Sequence, residues 1–250
     1  MFTAYIHPRN PPRGPAAPRR LQYDTHRSRR QCHGRSRPVP WHHPLARSDA
    51  VVTLSRDQPD TPRFPSEPRI IRRGNLVELR EHELANRDRF IAWYADPEIA
   101  ELLRHDLSPL SPARARSYFD SIILPASARG TCWAIHERST GALIGTTAVT
   151  DIQGNRTCLF RIVIGEKPLW GRGYGTEATS LVAAEAFESL GLDEVRLEVF
   201  LHNPRAQRAY QRVGFRETGR HVEWIAPHRR QLDVLEMALS RDDWMAAQAR

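Results

Sequence analysis

The chain has 250 residues, of which 40% are hydrophobic, and it carries a formal net charge of +8 at pH 7. This length fits one or two domains. No stretch reaches the roughly 18 apolar residues of a membrane span, and no secretory signal with an apolar centre is apparent. Three cysteines without a CxxC pair are typical of a reducing compartment, so we expect a cytoplasmic protein.

The first 69 residues differ in composition from the rest. They hold 13 arginines, 12 of the 19 prolines and 5 acidic residues, so they carry the whole charge excess, while residues 70–250 are neutral. Such a segment buries too little apolar surface to offset the entropy lost on ordering. We therefore predict a disordered Arg/Pro-rich extension at 1–69 and a folded domain at 70–245. The neutral domain has no recognition motif, so nucleic-acid binding through the extension is not expected as the main function.

Strand and helix patterns alternate along the folded part. Apolar residues at helical spacing predict a long helix that ends at Gly191, and Pro125 is expected to end an earlier helix. This order predicts a mixed α/β fold around one sheet. Strands are predicted at 76–80, 131–137, 142–151, 157–164, 195–199, 222–225 and 232–239, and helices at 81–94, 97–103, 112–123, 173–190 and 204–213.

Three glycines at alternate positions, Gly171, Gly173 and Gly175, lie between a predicted strand and the start of the long helix. Glycine allows unusual backbone angles and close approach of a ligand. The free N–H groups at a helix start, together with the helix dipole, bind phosphate. The P-loop is excluded because no lysine follows these glycines, and the dinucleotide fingerprint because the spacing is GxGxG instead of GxGxxG. The turn therefore indicates a phosphate site of another kind.

A second motif, NPRAQRAYQRVGF at 203–215, follows the segment WGRGYGTEA at 170–178. The two motifs in this order resemble the GNAT acetyltransferase superfamily, and within it the branch of ribosomal-protein N-terminal (alanine) acetyltransferases. The resemblance implies a single, mostly antiparallel central sheet with flanking helices. Two positions depart from the pattern: Trp170 stands where many relatives have Arg or Gln, and Leu159 stands where some carry Glu.

The resemblance implies acetyl-CoA as the acyl donor. No cluster of residues has metal-ligand spacing, so no metal is expected. The backbone N–H groups from Arg172 to Thr176 would hold the pyrophosphate. The strand residues before the turn would pair with the pantetheine arm as an added strand does at an open sheet edge. The cofactor-binding residues that the resemblance implies are Ile162, Val163, Ile164, Trp170, Gly171, Arg172, Gly173, Tyr174, Gly175, Thr176, Asn203 and Arg208.

The resemblance assigns Tyr210 and Asn203 to the catalytic set. Tyr210 would protonate the leaving thiolate, because a phenol with a pKa near 10 stays protonated above a thiol with a pKa of about 8.5. Helical spacing alone would place Tyr210 in the core. Asn203 precedes a proline and fits a helix N-cap, with a contact to the CoA arm as a second role. Arg205 and Arg212 are expected on a solvated helix face, from which Arg208 would reach a CoA phosphate.

The proton acceptor for the amine is not fixed by the sequence, and Glu198, Glu223 and His136 are the candidates. Cys132 and Cys158 fall in predicted strands, so direct transfer without an acyl-enzyme is expected. The resemblance implies a primary amine as the acceptor, and its branch favours a protein N-terminus over a small amine. We expect a monomer or homodimer. The alternative is a non-catalytic acyl-CoA sensor that binds the donor without turnover.

Overall fold

The computed structural model describes residues 68–103, 106–154 and 156–249. The predicted disordered extension at 1–69 lies outside these residues, apart from its last two. The described residues form one eight-stranded sheet with flanking helices, which confirms the predicted mixed α/β fold. No helix within the described ranges is both long enough and apolar enough to cross a bilayer.

The sheet has the order β1-β2-β3-β4-β5-β6-β8-β7. All neighbouring strands are antiparallel except β5 and β6, which are parallel. The strands are β1 (Ile70–Arg73), β2 (Val77–Arg80), β3 (Cys132–Glu137), β4 (Leu143–Thr150), β5 (Thr157–Ile164), β6 (Glu194–Phe200), β7 (Arg216–Ile225) and β8 (Arg230–Ser240).

The helices are α1 (Arg87–Tyr94), α2 (Pro97–Leu103), α3 (Pro112–Tyr118), α4 (Leu124–Ala128), α5 (Tyr174–Ala184), α6 (Pro204–Val213) and α7 (Arg241–Gln248). The helical backbone continues without a break in two places as a π-helical turn. These turns are Phe119–Ile123, between α3 and α4, and Glu185–Ser189, after α5.

The prediction that Pro125 ends its helix is wrong, because the helical backbone runs on to Ala128. The N–H of Leu124 bonds to the carbonyl of Phe119, five residues back, instead of four. Such a wider turn accommodates a ring that lacks an N–H and that clashes with a regular α-helix. Gly191 has φ of 67° just after the π-helical turn, as the predicted stop requires.

The sheet is covered on both faces, so β5 in its middle is held from two sides. On one face, Val182 of α5 packs among buried strand residues such as Leu197 and Met237. On the other face, Trp93 of α1 packs against Val163 of β5. This second packing is what fixes α1 and α2 beside the end of β5.

Glu177 joins the first turn of α5 to the turn between β1 and β2. Its carboxylate accepts the N–H groups of Asn75, Leu76 and Val77 at 2.8, 2.6 and 2.8 Å. Bonds of this kind to a charged acceptor are stronger than neutral ones.

We expect Glu177→Ala to lower the free energy of unfolding by about 1–3 kcal/mol, because it leaves three N–H groups without their partner. Denaturant unfolding measures this. Glu177→Gln, which keeps one acceptor oxygen, should fall in between, and equal stability of all three proteins would contradict the assignment.

Candidate active site

The strands β5 and β6 lie side by side only over their first residues. The pairing joins residues 157–159 to residues 194–196. Beyond these residues, β5 stays paired with β4 and β6 stays paired with β8, but the two strands separate from each other. We call the opening between residues 160–164 and 197–200 the strand gap. It leaves this part of β5 without a neighbouring strand on one side.

The backbone groups of β5 point alternately to β4 and into the strand gap. The N–H of Gly165 donates to the carbonyl of Ile144 on β4 at 2.9 Å. This bond shows which residues of β5 direct their backbone groups to β4 and which direct them into the strand gap. Val163, two residues earlier, therefore also directs its backbone groups to β4, although the sequence placed it beside the pantetheine arm. The residues whose backbone groups face the strand gap are Phe160, Ile162 and Ile164.

A cavity of about 360 Å³ occupies the strand gap and extends to the glycine turn. This volume lies in the range of small-molecule sites. All the predicted site residues line it except Arg172 and Tyr174. The predicted residues that line the cavity are Ile162, Val163, Ile164, Trp170, Gly171, Gly173, Gly175, Thr176, Asn203, Arg208 and Tyr210.

The glycine turn presents free N–H groups at the start of α5. Gly173 is the N-cap, with φ of 93°, a left-handed conformation that favours glycine. No hydrogen bond within the described part of the chain engages the N–H groups of Gly173, Tyr174, Gly175 and Thr176, whereas the N–H of Arg172 points to the carbonyl of Leu169 at 3.4 Å. Four free donors at a helix start form a site suited to an anion.

The side chain of Tyr174 points away from the cavity. Its hydroxyl donates to the carboxylate of Glu137 at the end of β3, and this bond raises the pKa of the Tyr174 phenol. The side chain therefore fastens the start of α5 to the sheet. Only the backbone N–H of Tyr174 belongs to the free donors of the turn.

Trp170 and Arg205 form a stacked pair at the mouth of the cavity. The indole N–H of Trp170 donates to the carbonyl of Ile164 at 2.6 Å. The guanidinium carbon of Arg205 lies 3.9 Å from the centroid of the indole ring, a cation–π contact. The prediction that Arg205 belongs to a solvated face is therefore wrong. The sequence alone does not reveal this contact, because the contact joins a loop residue to a helix residue 35 positions later.

Helix α6 begins as predicted and turns its arginines to the cavity. The side chain of Asn203 accepts the N–H of Ala206 at 3.2 Å, which confirms it as the N-cap. Arg205, Arg208 and Arg212 all line the cavity. A single face of α6 thus places three positive charges on the cavity that the glycine turn also lines.

Tyr210 extends from α6 toward β5. Its ring packs edge-on against Phe160, with 6.1 Å between ring centroids, and tilts against Phe215 at 6.0 Å. No hydrogen bond among the described residues engages its hydroxyl, and burial raises the pKa of the phenol above its ordinary value. The group is therefore neutral and protonated at physiological pH, and its proton is available to a ligand in the cavity.

The structure separates the three candidate proton acceptors. Glu198 on β6 lines the cavity. His136 lies on β3, where its Nδ1 is 2.9 Å from the carbonyl of Gly141, and burial lowers its pKa. Glu223 lies on β7, with its Oε1 3.3 Å from Nε2 of His221, and it does not line the cavity. Glu198 is thus the one candidate of the three that reaches the cavity.

A cluster that the sequence did not predict lies next to Glu198. A ring nitrogen of His221 and one carboxylate oxygen each from Glu198 and Glu236 all lie within 4.8 Å of one another. The three side chains come from β6, β7 and β8, so no short spacing along the chain signals their approach. We call these residues, together with Glu223, the His221 cluster.

Part of the cavity wall is apolar and comes from α2. Ile99, Leu102 and Leu103 line it. Lys167, in the loop before the glycine turn, bonds to Asp96 at 2.8 Å at the start of this helix. Helix α2 is thus tied to the loop that leads into the glycine turn.

Neither described cysteine is suited to nucleophilic catalysis. Cys132 and Cys158 are buried in strands, as predicted. Burial raises the pKa of each thiol to about 12, so neither is a thiolate at neutral pH.

Comparison with known proteins identifies the family of the chain. Residues 77–216 match a family model described as an acetyltransferase (GNAT) domain. An acetyltransferase (GNAT family) from Bacillus anthracis is similar in structure, with a TM-score of 0.59 and 15% identity over 68% of this chain and 98% of that chain. Spermidine N-acetyltransferase from Vibrio cholerae, solved in complex with CoA and spermine, has a TM-score of 0.59 and 20% identity over 69% of this chain and 99% of that chain.

A putative acetyltransferase from T. thermophilus has a TM-score of 0.57 and 26% identity, over 71% of this chain and 93% of that chain. For the first two structures the likeness shows the fold alone. The family model extends further, because it matches more than half of the chain and includes both the glycine turn and α6. The chain therefore belongs to the GNAT acetyltransferase family and is an acyltransferase.

Proposed function

We propose that this protein transfers an acetyl group from acetyl-CoA directly to a primary amine, with a protein N-terminus as the favoured acceptor. The observation that carries the proposal is one continuous cavity. It joins four free N–H groups of the glycine turn to the edge of β5 that has no neighbouring strand. This donor set fits a pyrophosphate followed by an extended arm that bears amides.

The acetyl donor would lie along the strand gap. Its pyrophosphate would accept hydrogen bonds from the N–H groups at 173–176, beside the positive charges of Arg205, Arg208 and Arg212. Its pantetheine amides would pair with the backbone of Phe160 and Ile162, as an added strand does. A backbone N–H on this edge would polarise the thioester carbonyl and stabilise its oxyanion. The carbonyl of Ile164 is already engaged by Trp170, so the edge available to the arm ends there.

The transfer requires two proton movements. The amine nitrogen attacks the thioester carbon, a C–N bond forms, the C–S bond breaks, and the sulfur leaves as a thiolate. The new amide nitrogen loses a proton and the sulfur gains one. In this proposal Tyr210 gives its phenolic proton to the sulfur and recovers one from solvent. The same apolar surroundings that raise the pKa of Tyr210 also favour a neutral thiol over a thiolate.

Glu198 is the proposed proton acceptor for the amine. Its side chain lines the cavity, and the residue is exposed, so it can return the proton to water. A protein α-amine has a pKa near 8 and a lysine amine one of about 10.4, so the α-amine needs less help to become neutral. This difference supports a protein N-terminus as the favoured acceptor, which the resemblance to the ribosomal-protein branch also favours.

A polyamine is the second candidate acceptor, and the His221 cluster favours it. Glu198 on the cavity wall, together with the two glutamates that lie next to it around His221, would attract an acceptor that carries further positive charges. The Vibrio cholerae relative was solved with spermine. The neutral charge of residues 70–250 gives no general attraction for polycations, so any preference must arise at this cluster.

The test is the release of free CoA thiol from acetyl-CoA in the presence of different amines. The set contains Ala- and Ser-terminated peptides, a lysine peptide with a blocked N-terminus, spermidine and an aminoglycoside. Release with the first two alone supports a protein N-terminus, and release with spermidine alone supports the second candidate. Tight acetyl-CoA binding without release from any amine supports the non-catalytic sensor and contradicts the proposal.

Glu198→Gln is expected to lower kcat by about 10²-fold or more, because it removes the proton acceptor and keeps the shape of the side chain. Binding of acetyl-CoA, measured by calorimetry, should stay unchanged. Glu194→Gln, on the same strand but outside the cavity lining, is the matched control and should keep full activity. A Glu198→Gln enzyme as fast as the wild type would show that water alone accepts the proton.

A further inference from the structure

His221 is held between two carboxylates at the edge of the sheet. Its Nδ1 lies 3.0 Å from Oε1 of Glu236, and its Nε2 lies 3.3 Å from Oε1 of Glu223. Both ring nitrogens therefore face acceptors, and only the doubly protonated imidazolium can donate to both. Glu198 stands beside this arrangement, with a carboxylate oxygen within 4.8 Å of a ring nitrogen.

The cluster is built by the register of the last three strands. Glu198 on β6 is opposite Glu236 on β8, and Glu236 is in turn opposite Gly219 on β7. The strand β7 bulges between Glu217 and Gly219. A Cβ atom at Gly219 would lie only 3.2 Å from Oε2 of Glu236, so the glycine leaves room for this carboxylate. The fold thus keeps the carboxylate of Glu236 turned toward His221.

Carboxylates that lie close together repel one another, and a cation placed among them lowers this cost. Among the residues that the structure describes, the charged groups that face His221 are Glu223 on its own strand, Glu236 on β8 and Glu198 on β6. Partial burial opposes the charge of the imidazole. The hydrogen bonds to Glu223 and Glu236 and the charge of Glu198 outweigh it, so the pKa of His221 is raised above its ordinary value.

We propose that His221 is a positioning residue for the transfer. As an imidazolium between Glu223 and Glu236, it offsets their negative charge and so sets the charge next to Glu198, the proposed proton acceptor. This inference rests on the proposed function, because it requires Glu198 to accept the proton of the amine. His221 itself does not touch the substrates, and it acts through the charge that Glu198 experiences.

The inference predicts opposite effects for two substitutions. His221→Gln removes a positive charge next to Glu198, so the acid limb of the kcat profile should move to higher pH by about half to one pH unit. Glu236→Gln removes a negative charge, so the same limb should move to lower pH. The double variant should lie close to the wild type. His228→Gln, in the turn between β7 and β8, is the matched control and should not move the limb.

The measurement is kcat against pH at saturating acetyl-CoA, with one amine throughout so that the ionisation of the amine is common to all variants. Loss of a merely structural contact would lower kcat at every pH and would leave the limb in place. A limb that moves the same way in His221→Gln and Glu236→Gln, or in neither, overturns the inference. If the wild type turns over no amine at all, the proposed function fails first and the inference with it.

A second readout does not require turnover. In the wild type, the ring signals of His221 followed by NMR should titrate above pH 6.5, the ordinary pKa of histidine. The pKa should fall in Glu198→Gln and in Glu236→Gln, because each substitution removes a negative charge that faces the ring. An unchanged titration in Glu198→Gln would show that the two groups are not coupled and would overturn the inference even in an active enzyme.

Discussion

Tyr210→Phe is expected to lower kcat by about 10²- to 10³-fold, because it removes the group proposed to protonate the leaving sulfur. The affinity for acetyl-CoA should stay nearly the same, since the ring still packs against Phe160 and Phe215. The fold should also survive. The hydroxyl has no hydrogen-bond partner among the described residues, so removing it leaves no buried group unpaired, and the melting temperature should hold or rise.

Three measurements separate this effect from damage to the fold: kcat from the release of CoA thiol, Kd from calorimetry, and the melting temperature. Tyr118→Phe is the matched control, because Tyr118 packs with Phe90 and Tyr94 on the other face of the sheet. It should leave kcat unchanged. A Tyr210→Phe enzyme with wild-type kcat and Kd would assign the protonation of the thiolate to water and would leave Tyr210 as a packing residue.

The lining of the cavity carries charges of both signs. Arg205, Arg208 and Arg212 come from α6, and Glu198 comes from β6, with the carboxylate of Glu236 close to it. In the proposed function, the arginines would attract the polyanionic donor and the carboxylates would attract a cationic acceptor. Stacking on Trp170 holds one of these arginines in place, which reduces the entropy that it loses when it meets a phosphate.

The parts of the site that are continuous in the chain were predictable. The segment 170–178 shows its glycines and helix start directly, and the segment 203–215 shows its N-cap, its tyrosine and its closing Gly-Phe. Local rules govern both segments, because a left-handed N-cap needs glycine and a helix that begins with proline needs a polar cap. The structure places both segments around one cavity.

The parts that depend on pairing between distant strands were not predictable. The strand gap exists because β5 and β6 pair over three residues and then separate, and no residue in either strand marks that point. The cluster around His221 gathers side chains from three strands, and its register depends on a bulge before Gly219. Strand β1 was missed because its sequence, IIRR, does not alternate apolar and polar residues, and none of the four residues is fully buried.

Helix α7 was also missed, although the sequence contains a signal for its start. Ser240 caps the helix by accepting the N–H of Asp243 at 3.1 Å, and an acidic residue three positions after a serine is a known start signal. The predicted end of the domain at residue 245 therefore cuts through a helix that continues to Gln248. Trp244 of this helix packs on Phe187, so the helix is part of the domain.

Gly173→Glu is expected to weaken acetyl-CoA binding by about 100-fold or more, because it places a carboxylate where the pyrophosphate should lie. The new side chain would also take up the free N–H groups at the start of α5. A negative charge at a helix start stabilises the helix by about 0.3–1 kcal/mol. This gain partly offsets the roughly 1–3 kcal/mol that a side chain costs at a φ of 93°. The fold should therefore survive while binding is lost.

Two further variants isolate the charge from its side effects. Gly173→Ala carries the same backbone strain without bulk, and Gly173→Gln carries nearly the same bulk without charge. Because a Cβ atom at this position meets only Leu76 at 3.4 Å, both should fold. Calorimetric titration with acetyl-CoA should give a much smaller loss for Ala and Gln than for Glu, and the difference should shrink as salt is added. Equal losses for Gln and Glu would mean that bulk alone blocks the site, and equal affinity for Glu and the wild type would place the pyrophosphate away from the start of α5.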